Sequence, residues 1–197
     1  MTNPACKTLG DPKNFKRRLK GKSIENWERE AIEGYLMMRS GEDYVNNDRR
    51  YEKALDKLSA SYREAAKEKA CGADLARLCL WMGISIQENV DNDALDGGPG
   101  KRNKEAMSLY RRGLKHLGGE DSPKSVEMAL YNSLGVACQG GKLPTCRQVT
   151  CKKANRFYQK AMDLYCAMSI DLQKPLHKLM KKVEENSQFL ACCNCAI

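Results

Sequence analysis

Histidine and cysteine are the side chains from which a reactive or metal site is most readily built, and this 197-residue chain has two of the first and ten of the second. His116 and His177 stand in no metal-ligand spacing, so general acid–base work would fall to carboxylates or lysines that no motif singles out. His116 falls in the last turn of a predicted helix, where a cation complements the negative end of the dipole, and is expected to be structural. No Walker loop, dinucleotide fingerprint or G-x-S-x-G elbow occurs. The segment Gly97-Gly98-Pro99-Gly100-Lys101 comes nearest to a phosphate loop, but it lacks the preceding strand and the Lys-Ser/Thr ending. The chain is therefore expected not to be an enzyme and to use no cofactor.

Nine of the ten cysteines, all but Cys6, fall into three groups. Cys71, Cys79, Cys138 and Cys166 lie on or beside apolar helical stripes and are expected to be small core residues. Cys146 and Cys151 share a loop region with Cys138 at its edge, an arrangement that makes a metal site or a disulfide only if the thiols converge. The spacings match no zinc pattern, and no metal is expected. The ending ACCNCAI places Cys192, Cys193 and Cys195 beyond Lys181 and Lys182. Prenylation needs Cys fourth from the end, where Asn194 stands. The expected reading is a frayed, reactive thiol tail; acylation of Cys192, Cys193 and Cys195 is the alternative, and any membrane attachment would depend on it.

Lys and Arg exceed Asp and Glu to give a net charge of +9, enough to attract anionic partners. The excess is concentrated in Lys13, Lys16, Arg17, Arg18, Lys20 and Lys22, among Pro4, Gly10, Pro12 and Gly21. With no periodic apolar stripe, residues 1–22 are expected to form a flexible basic arm whose removal leaves the body folded. Lys16, Arg17, Arg18, Lys20 and Lys22 would be its anion-binding residues, although no recognition-helix motif or RNP-type aromatic platform accompanies them. A chain 42% hydrophobic and 30% charged is too apolar for disorder, and no run approaches the roughly eighteen apolar residues of a membrane span. Without an apolar leader or an N-x-S/T sequon, a reducing compartment is expected: the cytoplasm, with the nucleus as the alternative.

The elements that would position these residues are helical. Ala, Leu, Lys, Glu and Met recur, while alternating β-branched runs are hard to find. Helices are predicted over about 24–39, 50–69, 73–89, 101–117, 123–138 and 151–169, with a last one from about 175. Ser40-Gly41, Gly72, Gly118-Gly119 and Gly140-Gly141 mark the breaks.

Three of these helices share a pattern. In YEKALDKL, EAMSLYRRGL and ANRFYQKAMDL an aromatic is followed three residues later by a small residue. In the last two, Ala106 and Ala154 precede Tyr110 and Tyr158 by four. The helices before them carry Met82-Gly83 and Leu134-Gly135, where Gly permits close approach of two backbones. Over residues 24–169 the chain resembles tetratricopeptide repeats or their longer-looped Sel-like cousins. The expected fold is all-α: three stacked antiparallel helix pairs and a C-terminal capping helix, spanning residues 23–190, with a Cys-rich tail at 191–197.

The resemblance implies that the first helix of each pair lines a concave groove. Its register turns Tyr35, Arg39, Arg77, Gln87, Asn132 and Gln139 into that groove, a polar set suited to an extended acidic or amide-rich peptide. The Gly-Asn pair of repeats that clamp chaperone C-termini is absent, since Tyr35, Ile84 and Val136 follow the glycines. The expected function is an adaptor or scaffold that binds a protein or peptide. The alternative is nucleic-acid or anionic-surface binding by the basic arm, and the oligomeric state is left open.

Overall fold

The structure is a computed structural model that describes residues 9, 12–20, 24–39, 47–89, 98–118, 123–139 and 148–192. Every regular element among them is helical. A 3₁₀ turn at Pro12–Asn14 leads into α1 (Phe15–Leu19), followed by α2 (Asn26–Arg39), α3 (Asn47–Lys67), α4 (Gly72–Glu88), α5 (Gly98–His116), α6 (Lys124–Cys138), α7 (Gln148–Cys166), the short α8 (Ile170–Gln173) and α9 (His177–Cys192). The predicted helices fall within a few residues of these bounds, except that α1 and α8 were not anticipated. Helix α3 ends where Lys69 takes φ 53°, the left-handed region usually filled by Gly or Asn. The N–H of Ala70 then closes the turn on the carbonyl of Ala65 at 2.9 Å.

Helices α2 and α3, α4 and α5, and α6 and α7 form three antiparallel pairs that stack in chain order, with α9 capping the last. The first helices of the pairs touch one another directly, α4 meeting both α2 and α6, whereas the second helices meet one another far less. That asymmetry puts α2, α4 and α6 on the inner row of the stack. It also explains why α4 is buried almost all round, from Asp74 through Met82, while α3 and α5 keep a charged outer face.

The second and third pairs are held by the same contact. A Cβ placed on Gly83 would lie 2.3 Å from the ring of Tyr110, and one on Gly135 would lie 2.3 Å from the ring of Tyr158. Only Gly lets these tyrosines lie against the backbone of the preceding helix. Ala106, Tyr110, Ala154 and Tyr158 are all fully buried, as their spacing predicts. In the first pair the equivalent neighbour of Gly34 is Leu58, with a Cβ at Gly34 2.9 Å from Leu58 Cγ. The aromatic place there belongs to Leu58, and Ala54 matches Ala106 and Ala154. The sequence alignment on Tyr51 and Ala54 is therefore corrected by seven residues, two turns of helix.

The apolar interior divides into two clusters. The larger runs from Leu9 and Phe15 through α2–α5 to Val126, Leu130, Leu134 and Ala137 of α6. The smaller joins Met128 and Cys138 of α6 to Ala154, Tyr158 and Ala161 of α7 and Met180 and Val183 of α9. Met107, Tyr131 and Phe157 pack against both.

The N-terminal segment departs from expectation. Far from being unattached, its described residues dock on the inner row: Leu9 and Phe15 are fully buried, and Leu19 packs against the same core. Spaced six and four residues apart, Leu9, Phe15 and Leu19 are too few to make a stripe, which is why the basic residues dominated the reading. Lys22 lies outside the described residues.

Candidate functional site

The docked segment and the inner row build one site. Phe15 stands edge-on to Tyr35 of α2, ring centroids 5.3 Å apart at 87°, and edge-on to Trp81 of α4 at 5.9 Å and 84°. Tyr35 and Trp81 are themselves 4.7 Å apart. Such edge-to-face contacts set the positive rim of one ring against the negative face of another and add about 1 kcal/mol each beyond area burial. Two turns toward the start of α2 and α4 lie two buried carboxylates, Glu28 and Asp74.

The segment brings polar partners to both. The backbone N–H of Leu9 donates to Asp74 Oδ2 at 3.0 Å. Arg18 pairs with Glu28 at 3.0 Å and also donates to the carbonyl of Leu9, folding the segment back on itself. Within the body, Arg77 pairs with Asp74 at 3.2 Å, the Cys71 thiol donates to it at 3.3 Å, and the N–H of Glu25 donates to Glu28 at 3.2 Å. Burial still raises the Asp74 carboxyl above its ordinary pKa, outweighing these hydrogen bonds and the Arg77 charge.

The six residues assigned to the groove by the repeat register are distributed along the stack. Tyr35 is part of the aromatic slot, Arg77 neighbours it through Asp74, and Arg39 is exposed at the end of α2. Gln87 is half-buried, donating to Asn103 at 3.2 Å and accepting the hydroxyl proton of Tyr110. Asn132 and Gln139 are buried under α9: Asn186 donates to Asn132 at 3.1 Å, and Gln139 donates to the carbonyl of Asn186 at 3.3 Å. The end of the inner row is thus covered by the capping helix. Glu28, Asp74 and Trp81 were missed because buried carboxylates and a Trp on an apolar stripe look in sequence like ordinary helix residues.

Of the arm's cations, Arg18 faces inward to Glu28, while Lys16, Arg17 and Lys20 are exposed. Cys193 and Cys195 lie outside the described residues, as does the side chain of Cys192, the last residue of α9. Cys79 and Cys138 are buried as expected, and burial pushes the Cys79 thiol up to about 12, which removes it as a nucleophile at neutral pH. Cys71 is only half-buried and Cys166 is exposed, so neither is a core residue. Among the described residues no cluster of His, Cys, Asp and Glu could hold a metal, and no helix is long and apolar enough to cross a membrane.

His116 differs from its expected part. Its Nε2 lies 2.8 Å from the hydroxyl of Tyr62, and burial together with the Arg112 charge lowers its pKa. Tyr62 is shifted upward, chiefly by burial. Both shifts favour a neutral imidazole hydrogen-bonded to a protonated phenol, not a cation at a helix end.

No protein family, curated protein or solved structure matches the chain.

Proposed function

We propose that this chain is a protein-interaction module of the tetratricopeptide-like kind, holding a peptide segment across the inner faces of α2 and α4. The observation that carries the reading is that this face already holds one: residues 9 and 12–20 seat two apolar anchors and make hydrogen bonds to two buried carboxylates. A slot that combines an aromatic pair with buried, oriented acceptors has the makings of a specific peptide site, in which anchors supply affinity and hydrogen bonds supply register.

The test is selection of peptides from a displayed random library against the full-length chain, followed by amide exchange of the complexes. Protection on α2 and α4 supports the reading. Protection confined to α3, α5 and α7, or no selected peptide at all, overturns it.

A second reading, binding to an anionic polymer, is favoured by the exposure of Lys16, Arg17 and Lys20 on the outer face of the docked segment. Its signature is salt: a complex resting on three phosphate contacts should weaken by about tenfold or more between 50 and 200 mM salt. Salt-independent binding to oligonucleotides, or none, excludes it.

A further inference from the structure

We infer that residues 9 and 12–18 are a resident ligand, occupying in cis a slot whose partner is a basic-aromatic segment: an apolar residue, an aromatic six positions later and an arginine three positions beyond that. This rests on the peptide-binding reading above and makes it specific. The chemistry is the opposite of what the repeat register implied, because the part of the inner row that holds a segment is acidic and aromatic, not cationic.

The slot has three places. The first is beside Asp74, where a backbone N–H is received and Leu9 is enclosed. The second is the touching pair of rings Tyr35 and Trp81, against which the Phe15 ring stands at near-perpendicular angles to both. The third is Glu28, only 4% exposed, which takes one arm of the Arg18 guanidinium. A buried carboxylate without a cation or donors is costly, so Glu28 selects for Arg in whatever segment lies over it. Trp81 and Tyr35 select for an aromatic ring in the same way, since a smaller side chain leaves a void against the two rings.

The attachment of the segment to the body is what makes it a competitor. Among the described residues its anchors include the apolar Leu9, Phe15 and Leu19, a backbone hydrogen bond to Asp74 and an ion pair to Glu28. A partner segment supplying the same three places must displace it, and its apparent affinity is reduced by the fraction of molecules whose slot is open. Arg18, one of the basic residues that made the arm look like a nucleic-acid binder, is then the electrostatic complement of the Glu28 carboxylate beneath it.

The experiment uses the full-length chain and two fluorescent peptides. One copies residues 7–20. The other keeps only Leu, Phe and Arg at the same spacing, with the remaining positions replaced. Wild type is compared with Phe15→Ala and with the milder Phe15→Leu, each checked for wild-type helix content. Both peptides should bind Phe15→Ala about tenfold or more tightly than wild type, with Phe15→Leu between them. Adding Trp81→Ala should abolish that gain. Equal binding to wild type and variants overturns the inference, as does failure of the second peptide alone, since the three places would then not define the partner. Loss of helix content in both variants also overturns it, because the segment would be a structural strut. If the folded variants bind neither peptide while the library selection still yields binders protecting the inner row, this inference falls and the wider reading stands. If the selection fails too, both fall.

Discussion

Tyr110 donates its hydroxyl proton to the side-chain carbonyl of Gln87, which stands one turn beyond the glycine that the Tyr110 ring covers. Tyr158 lies against Gly135 in the same way, and Gln139 stands one turn beyond, yet that amide turns to Asn186 of α9. The Tyr158 hydroxyl is buried with no hydrogen-bond partner among the described residues. Tyr110→Phe should therefore cost about 1 kcal/mol, whereas Tyr158→Phe should be neutral or stabilising by up to about 1 kcal/mol. Urea unfolding of the two variants checks the contrast. A larger loss at Tyr158 would mean that its hydroxyl is satisfied after all.

The glycine contacts predict a second contrast. Gly83→Ala and Gly135→Ala each drive a Cβ into a buried tyrosine ring and should destabilise by about 1–3 kcal/mol despite the better helix propensity of alanine. Gly100→Ala meets nothing within 4 Å and should be neutral or stabilising by about 0.5 kcal/mol. Denaturant midpoints at equal slope measure all three.

The Tyr62–His116 pair makes stability depend on pH. With the folded-state pKa of His116 depressed below its unfolded value of about 6.5, the folded chain binds fewer protons than the unfolded chain between the two values. Stability from this group is present above pH 6.5 and is lost as the pH falls through the folded value. His116→Gln keeps an acceptor for Tyr62 and has no charge to gain, so its stability should change less between pH 7.5 and 5. An unchanged slope would remove His116 as the cause.

Deleting residues 1–20 should lower the melting temperature by about 4–8 °C, on the order of 2 kcal/mol for a domain of this size. Two fully buried anchors, Leu9 and Phe15, contribute about 1.5–3 kcal/mol each, and the entropy of ordering the segment offsets much of that. A melting temperature unchanged by the deletion would show the segment detached in solution.

How legible this molecule was in its sequence varied with the number of residues that repeat a signal. Ala106, Tyr110, Ala154 and Tyr158 announce their burial because the spacing occurs twice, and the helix breaks carry Gly at each end. Leu58 in the first pair replaces the aromatic, so the eye moves to Tyr51 and the register slips. Phe15 is a single aromatic among cations, and its partners Tyr35 and Trp81 come from helices far apart in sequence. No local pattern could join them. His116 shows the same limit: a helix-end position suggests a cation, and only the fold supplies Tyr62 and Arg112.

The division of the interior into two clusters meeting in α6 has a mechanical consequence. A load applied to the C-terminus reaches α9 and α7 first, and these are held to the rest mainly through α6 and through Met107, Tyr131 and Phe157. Stretched in this direction, the chain should give way in two events, the smaller cluster peeling off while the larger, pinned by the N-terminal segment, still bears force. A module built in this way can lose its capping end under strain and keep the slot between α2 and α4 intact.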